Sequence, residues 1–277
     1  MTVENLLVEG KESIHSDHAK IILADLLNLN PLEMLLHLDD KVDNDTITKY
    51  RNEVRALKEG KPLQYVMGYT NFYGNKFIVN ENVLIPRFET EELVENLIKL
   101  INKYFDSDID IIDLGCGSGA IGLTLKNNLP SSKIDMLDIS PEALEVAKEN
   151  GKNLSLDVNY ILGDMLENVD KKYDVIVSNP PYIKEKEEIE KIVEDNEPHL
   201  ALYAKEDGME YYDKILKKAK KNLKDKFIIA FEIGADEKED VINLANKYLE
   251  NIKIISKKDL SDKDRMIFIL SNNLINE

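Results

Sequence analysis

Cysteine is almost missing from this 277-residue chain, and positive charge is short. The single cysteine, Cys116, excludes an intramolecular disulfide and a cysteine-caged zinc site, and it makes a reducing cytoplasm the default. Four histidines, His15, His18, His37 and His199, show no metal-ligand spacing, so no metal is expected. No apolar run reaches the ~20 residues of a membrane span. The start, from Met1 to Asn5, lacks the charged-then-apolar order of a secretory signal. Acids outnumber bases 53 to 36, for a net charge of −17. Proteins that live by duplex contact draw most of their affinity from lysine and arginine against phosphate. This balance therefore counts against nucleic acid and fits a protein partner. The nearest basic stretch, 214–224, carries Ile215, Leu216, Ala219 and Leu223 at helical spacing, which makes its lysines a solvated outer face. The 43 % hydrophobic content rules against disorder and is enough for one full domain plus a smaller one.

The most informative stretch is Asn179, Pro180, Pro181 and Tyr182. It follows 173–178, which is rich in β-branched residues, carries no charge after Asp174 and reads as a short buried strand. Neither proline donates a backbone hydrogen bond. The carbonyls of Asn179 and Pro180 and the side-chain oxygen of Asn179 thus form an acceptor cluster beside an aromatic ring, which suits a planar NH2 group. A Pro-Pro pair alone only ends a strand; the residues upstream change that reading. Residues 109–114 form a strand that enters a loop with Gly115, Gly117 and Gly119 in G-x-G-x-G order, followed by a helix. Such glycines let backbone N–H groups approach a ligand at a helix N-terminus. A second strand, 133–138, ends in Asp138, placed to accept the hydroxyls of a ribose, and Ser140, Pro141 and Glu142 start the next helix. A third, 158–162, ends at Gly163, Asp164 and Met165, where an adenine edge and face fit. Cys116 reads as a small space-filler in the loop.

These four signals, in order and each at a strand end, resemble the S-adenosylmethionine-dependent methyltransferases of the Rossmann-like class. The resemblance implies that Gly115, Cys116, Gly117, Ser118 and Gly119 cradle the cofactor, that Asp138 holds its ribose, and that Asp164 and Met165 hold its adenine. It implies that Asn179, Pro180, Pro181 and Tyr182 receive the nitrogen to be methylated, with Asn179 beside both cofactor and substrate. Asn179, Pro180 and Tyr182 are the catalytic candidates: two acceptors for the N–H groups and a ring to stack on the flat group. N-P-P-Y also serves enzymes acting on adenine or guanine, which is the alternative. The preceding segment separates them. Gly60, Pro62, Gln64, Tyr65, Gly68, Phe72, Tyr73, Gly74, Phe77 and Val79, then Leu84, Ile85, Pro86, Arg87, Glu89, Thr90 and Glu91, are similar to the signature of the methyltransferases that modify the glutamine of the Gly-Gly-Gln loop in peptide-chain release factors. The resemblance runs from about residue 50 onward, through Glu197, Pro198, Leu202, Gly208, Glu232 and Gly234. Two positions depart from that pattern: Phe88, where the family usually has proline, and Asp262, where glycine is common.

The expected fold is α/β: a seven-stranded, mostly parallel Rossmann-like sheet over 83–277, after a helical substrate-recognition domain at 1–68 and a β-hairpin linker at 69–82. In the helical part, one helix starts at Ser16 with Ala19, Ile22, Leu23 and Leu26 on one face. A second is capped by Asn30 and Pro31 and carries Leu32, Leu35 and Leu36, and a third spans 43–59. The hairpin is expected to turn at Gly74 and Asn75. The last two strands, 252–256 and 266–270, lack a long helix between them and are expected to pair antiparallel. The charged stretch 184–190 reads as either a flap over the substrate or an exposed helix. The implied partner is a release factor, met by a cytoplasmic monomer without direct nucleic-acid binding.

Overall fold

The computed structural model describes residues 1–106 and 108–275, which fall into two compact units. The first comprises residues 1–69 and 190–196. Its helices are α1 (Val3–Lys11), α2 (Ser16–Leu26), α3 (Asn44–Lys58) and the short α4 (Leu63–Met67). Asp43 caps α3, its Oδ1 accepting the N–H groups of Asp45 and Thr46 at 2.9 Å each. Leu6, Leu7, Ile22, Leu23, Met34 and Tyr50 form the core. The expected second helix is a correction. Only a single 3-10 turn, Glu33–Leu36, forms there, and Leu32, Leu35 and Leu36 point outward. The turn is too short to present one continuous face, so Met34 alone is buried.

The second unit comprises residues 70–189 and 197–277. Strands β1 (Tyr69–Phe72) and β2 (Asn75–Ile78) form the hairpin. Its turn is Tyr73-Gly74, one residue earlier than expected. Both have positive φ, 48° and 76°, as a type I′ turn requires, and Asn75 already belongs to β2. Then follow α5 (Phe88–Tyr104), β3 (Asp110–Leu114), α6 (Ala120–Asn128), β4 (Lys133–Asp138), α7 (Pro141–Asn153), β5 (Asn159–Leu162) and β6 (Tyr173–Ser178). The two-residue strand β7 (Ile183–Lys184) comes next; 185–190 forms no helix. Helix α8 (Lys191–Asn196) belongs with the first unit, where Asn196 Nδ2 donates to the Gly60 carbonyl at 3.0 Å. The chain continues through α9 (His199–Leu202), β8 (Tyr203–Ala204), α10 (Glu210–Asn222), β9 (Leu223–Glu232), α11 (Lys238–Tyr248), β10 (Ile252–Lys258), β11 (Asp264–Ser271) and α12 (Asn272–Ile275).

Seven strands form one sheet in the order β10-β11-β9-β6-β3-β4-β5, parallel except for β11, which runs antiparallel to both β10 and β9. Side chains alternate across it. Ile111, Val175, Val177, Ile228, Ala230 and Phe268 join one core with α5, α6 and the hairpin. Ile112, Leu114, Ile176, Ile229, Phe231 and Ile267 join the other with α10 and α11. Helix α10 ends at Asn222, and Leu223 opens a ten-residue strand, so the basic stretch is shorter as a helix than its pattern predicts. Its lysines do more than face water: Lys214, Lys218 and Lys221 pair with Asp164, Glu167 and Asp170.

Both departures from the family pattern have local reasons. Phe88 is the first residue of α5 and 60 % exposed, a position that suits proline but does not require it. Asp262 sits at φ 62°, the left-handed region that glycine enters freely and aspartate tolerates.

One buried asparagine ties the hairpin to the loop after β3. Asn150 on α7 accepts the Ile78 N–H at 2.7 Å and donates to the carbonyls of Ile78 (3.0 Å) and Ser118 (2.9 Å). Asn150→Ala strands three backbone groups; each buried unpaired group costs about 1–3 kcal/mol. Urea unfolding is expected to show a loss of at least ~2 kcal/mol with an unchanged slope.

Candidate active site

The carboxyl ends of β3, β4, β5 and β6 open into one cleft of about 220 Å³. Its floor is Gly115, Gly117, Leu137 and Asp138, and Gly163, Asp164 and Met165 close one side. Val83 and Leu84, before α5, form a wall together with Pro198, Leu200 and Ala201. Asn179 and Pro181 complete it, with Tyr211 from α10. Of the residues expected at the site, Gly115, Gly117, Asp138, Asp164, Met165, Asn179 and Pro181 therefore meet at one surface. Cys116, Ser118, Gly119, Pro180 and Tyr182 are not among the residues that line it.

The glycine loop differs from its expected working in one respect. Its N–H groups turn inward: Gly115 and Cys116 donate to the Leu137 carbonyl at 2.8 and 3.0 Å, Gly119 to Cys116 at 2.8 Å, and Gly117 to Asp138 Oδ2 at 2.8 Å. What the glycines provide is bare backbone. Gly117 sits at φ 53°, and a Cβ there would meet nothing within 4 Å, so a side chain would occupy the space a ligand needs. Cys116 is buried, and burial with the neighbouring Asp113 and Asp138 pushes its thiol well up, which leaves it a protonated space-filler.

Asp138 is the joint between the loop and β4. Its Oδ1 accepts the Ser140 N–H at 2.9 Å, and its Oδ2 holds Gly117. Burial raises its pKa; the N–H groups of Ser140, Gly117 and Ile139 oppose this. Each oxygen keeps further acceptor capacity for a pair of hydroxyls. Asp164 is paired with Lys214, which orients it at the rim. Beneath the loop lies Asp113, fully buried. Its Oδ2 accepts the Gly122 N–H at 2.9 Å, Oδ1 has no partner, and desolvation pushes the carboxyl up to about 7.

Asn179 is fixed from behind. Its Nδ2 donates to Thr90 Oγ1 at 3.2 Å, and the Thr90 hydroxyl donates to Glu232 Oε2 at 2.6 Å. The Asn179 amide also favours the charged form of Glu232. Tyr182 is half-buried against the second core, and burial together with the Glu232 carboxylate keeps its hydroxyl protonated. The Tyr182 carbonyl presses on Gly208 at φ 92°, where a Cβ would stand 2.6 Å from that oxygen and 2.3 Å from Glu237 Oε1. Across the cleft, Glu197 accepts the Ile85 N–H at 3.1 Å and Arg87 Nη2 at 2.5 Å, joining the wall before α5 to the one that includes Pro198.

Thr90, Glu232 and Tyr211 carried no assigned site role in the sequence reading. Thr90 and Glu232 lay inside the segments of family resemblance, the one signal that pointed to them. Tyr211 gave none, being one tyrosine of an adjacent pair on an amphipathic helix. Among the described residues no group of three or more histidine, cysteine, aspartate or glutamate side chains could hold a metal ion, and no helix is long and apolar enough to cross a membrane.

The comparisons agree with this architecture. Residues 3–68 match the PrmC N-terminal domain and residues 90–202 the methyltransferase small domain. The release factor glutamine methyltransferase of Bacillus cereus is 37 % identical over 255 residues, covering 90 % of each chain. That of Streptococcus pneumoniae is 36 % identical over 269 residues, covering 96 % of this chain and 94 % of its own. Among solved structures, a methyltransferase from Pyrococcus furiosus superposes with a TM-score of 0.53 at 17 % identity, covering 72 % of this chain and 90 % of that one, a likeness of fold. With relatives of such identity spanning nearly its whole length, and a glycine loop, an acid and N-P-P-Y gathered at one sheet edge, this chain belongs to the release factor glutamine methyltransferase family.

Proposed function

We propose that this protein transfers a methyl group from S-adenosylmethionine to the side-chain amide nitrogen of the glutamine in the Gly-Gly-Gln loop of peptide-chain release factors. The observation that carries the reading is the Asn179 amide, held by Thr90 with its oxygen end left for the cleft. The other reading, methylation of an adenine or guanine amine, is disfavoured by the release factor name that the curated relatives above carry and by the net charge of −17.

The cleft fits the cofactor: bare glycine backbone at Gly115 and Gly117, a carboxylate at Asp138 with free acceptor capacity, and Asp164 and Met165 at the far side. When bound, S-adenosylmethionine supplies an electrophilic methyl group on positively charged sulfur. An amide nitrogen is a weak nucleophile because its lone pair is shared with the carbonyl, so the task of the residues here is alignment. Asn179 Oδ1 and the Pro180 carbonyl accept the two amide N–H groups and turn the π face of the nitrogen toward the cleft floor. The same acceptors stabilise the positive charge that grows on nitrogen. No strong base is needed, because the nitrogen becomes acidic as it is alkylated. Tyr182 follows this acceptor loop half-buried against the second core, and its stacking on the substrate chain is a further part of the proposal.

The same reading assigns 1–68 to substrate recognition, 69–82 to the connection and 83–277 to catalysis, in a cytoplasmic monomer that does not bind nucleic acid directly. Its support is the exposed Leu32, Leu35 and Leu36 of the helical unit, an apolar patch of the kind that marks protein contact, and the net charge of −17.

Asn179→Ala is expected to lower turnover by about 10²–10³ while leaving the unfolding midpoint unchanged; a variant that keeps half its activity overturns the assignment. Asp138→Ala is expected to weaken S-adenosylhomocysteine binding roughly ten- to a hundredfold in calorimetry, as the loss of a charge-assisted contact does. Replacing Leu32 and Leu36 by serine is expected to raise KM for intact release factor several-fold and to leave a short Gly-Gly-Gln peptide unaffected. Equal losses on both substrates would remove the recognition role.

A further inference from the structure

An asparagine amide has nearly the same shape when flipped by a half-turn, yet only one orientation offers an acceptor. Something must decide which end of Asn179 faces the cleft. The only polar groups found against its buried end among the described residues are Thr90 and Glu232. Both are fixed: Thr90 is 4 % and Glu232 2 % exposed, on α5 and at the end of β9.

We propose that Glu232 is a positioning residue for methyl transfer, which acts through Thr90 and as the carboxylate to hold the Asn179 amide with Oδ1 toward the substrate. The proposal rests on the reading above that Asn179 Oδ1 accepts the substrate N–H. A carboxylate only accepts hydrogen bonds. The Thr90 hydroxyl, 2.6 Å from Glu232 Oε2, must then donate to it. Its remaining lone pair accepts, and the partner at 3.2 Å must present an N–H, which is Nδ2. The chain of bonds therefore runs one way, from Asn179 through Thr90 to Glu232. A protonated carboxyl both donates and accepts, so it no longer fixes the direction: it can donate to Thr90, which then donates to a flipped Oδ1 and leaves Nδ2 turned to the cleft. There it opposes the substrate N–H groups.

The surroundings place this change in the working range. Burial pushes Glu232 up to about 7, while Thr90, Arg265 and Asn179 favour the charge and Glu89 opposes it. The groups facing it are Thr90 and Glu89 from α5, Asn179 and Tyr182 from the loop after β6, and Arg265 from β11. The Tyr212 hydroxyl from α10 is bonded to the Glu232 carbonyl at 2.8 Å. Because the charged form is the positioned one, turnover rises with pH through about 7 as a single proton is lost.

The test is kcat and KM on intact release factor between about pH 5.5 and 9, with S-adenosylhomocysteine affinity as control. Wild type is expected to lose turnover about tenfold per pH unit below its midpoint. Glu232→Gln, whose own amide reads either way, is expected to show kcat about tenfold or more lower at pH 8, no acidic limb, and unchanged cofactor affinity. Thr90→Val breaks the chain without touching the buried acid and is expected to lose the limb as well; Thr90→Ser, which keeps the hydroxyl, is expected to restore it. Should Glu232→Gln not fold, the Thr90 pair decides. Wild-type kcat and an intact acidic limb in Glu232→Gln, or in Thr90→Val, overturn the proposal. If these appear while Asn179→Ala is inactive, the positioning role alone fails; an active Asn179→Ala removes the reading beneath it.

Discussion

Everything at the cleft depends on the register of three parallel strands. β3 pairs with β4 so that Leu114 lies opposite Leu137, and with β6 so that Leu114 lies opposite Ser178. The residues that follow, Gly115, Asp138 and Asn179, leave the sheet at one level and therefore face one space. A slip of one residue would turn each strand's side chains to the opposite core. The cost of such a slip is high because β6 is buried along its whole length and its alternate residues serve two different cores. The edge that meets ligand is thus specified by packing well away from it.

The sequence made this arrangement readable where a single stretch of chain carried both the structural and the chemical signal. Residues 173–182 are a buried strand and an acceptor cluster at once, and 109–119 a strand and a bare loop. The antiparallel pairing of β10 with β11 followed from the missing helix between them. What stayed hidden depends on distance along the chain. Thr90, Asn179 and Glu232 share one hydrogen-bonded chain, yet no local pattern links residues so far apart. The inward N–H groups of the glycine loop were also invisible, because the Leu137 carbonyl that takes two of them comes from another strand. Leu32, Leu35 and Leu36 show the reverse failure: their spacing suits a buried helical face, but the segment closes after one turn and leaves them in water.

Three buried acids are unlike the many on the surface. Asp113, Glu232 and Glu237 are all raised to about 7 by burial, in a chain whose formal charge counts them as ionised. Each is hydrogen-bonded to a backbone or hydroxyl donor: Gly122 for Asp113, Thr90 for Glu232 and Gly234 for Glu237. Such groups are costly to bury. Asp113 behind the glycine loop and Glu232 behind Asn179 fit a site in which the direction of hydrogen bonds matters more than local stability.

The ladder of Lys214, Lys218 and Lys221 against Asp164, Glu167 and Asp170 carries a consequence for how the enzyme answers to its medium. Two of these pairs do nothing but hold a loop to α10, while the third ends on a cleft residue. Exposed pairs weaken as ionic strength shortens the Debye length from about 10 Å at 0.1 M toward 3 Å at 1 M. The rim contributed by Asp164 is therefore held by a partly exposed ion pair that salt screens, whereas the floor contributed by Asp138 is held by backbone donors that salt barely touches. Dissolved ions thus act on one wall of the cleft and spare the other, so a rise in ionic strength loosens the Asp164 side before the Asp138 side.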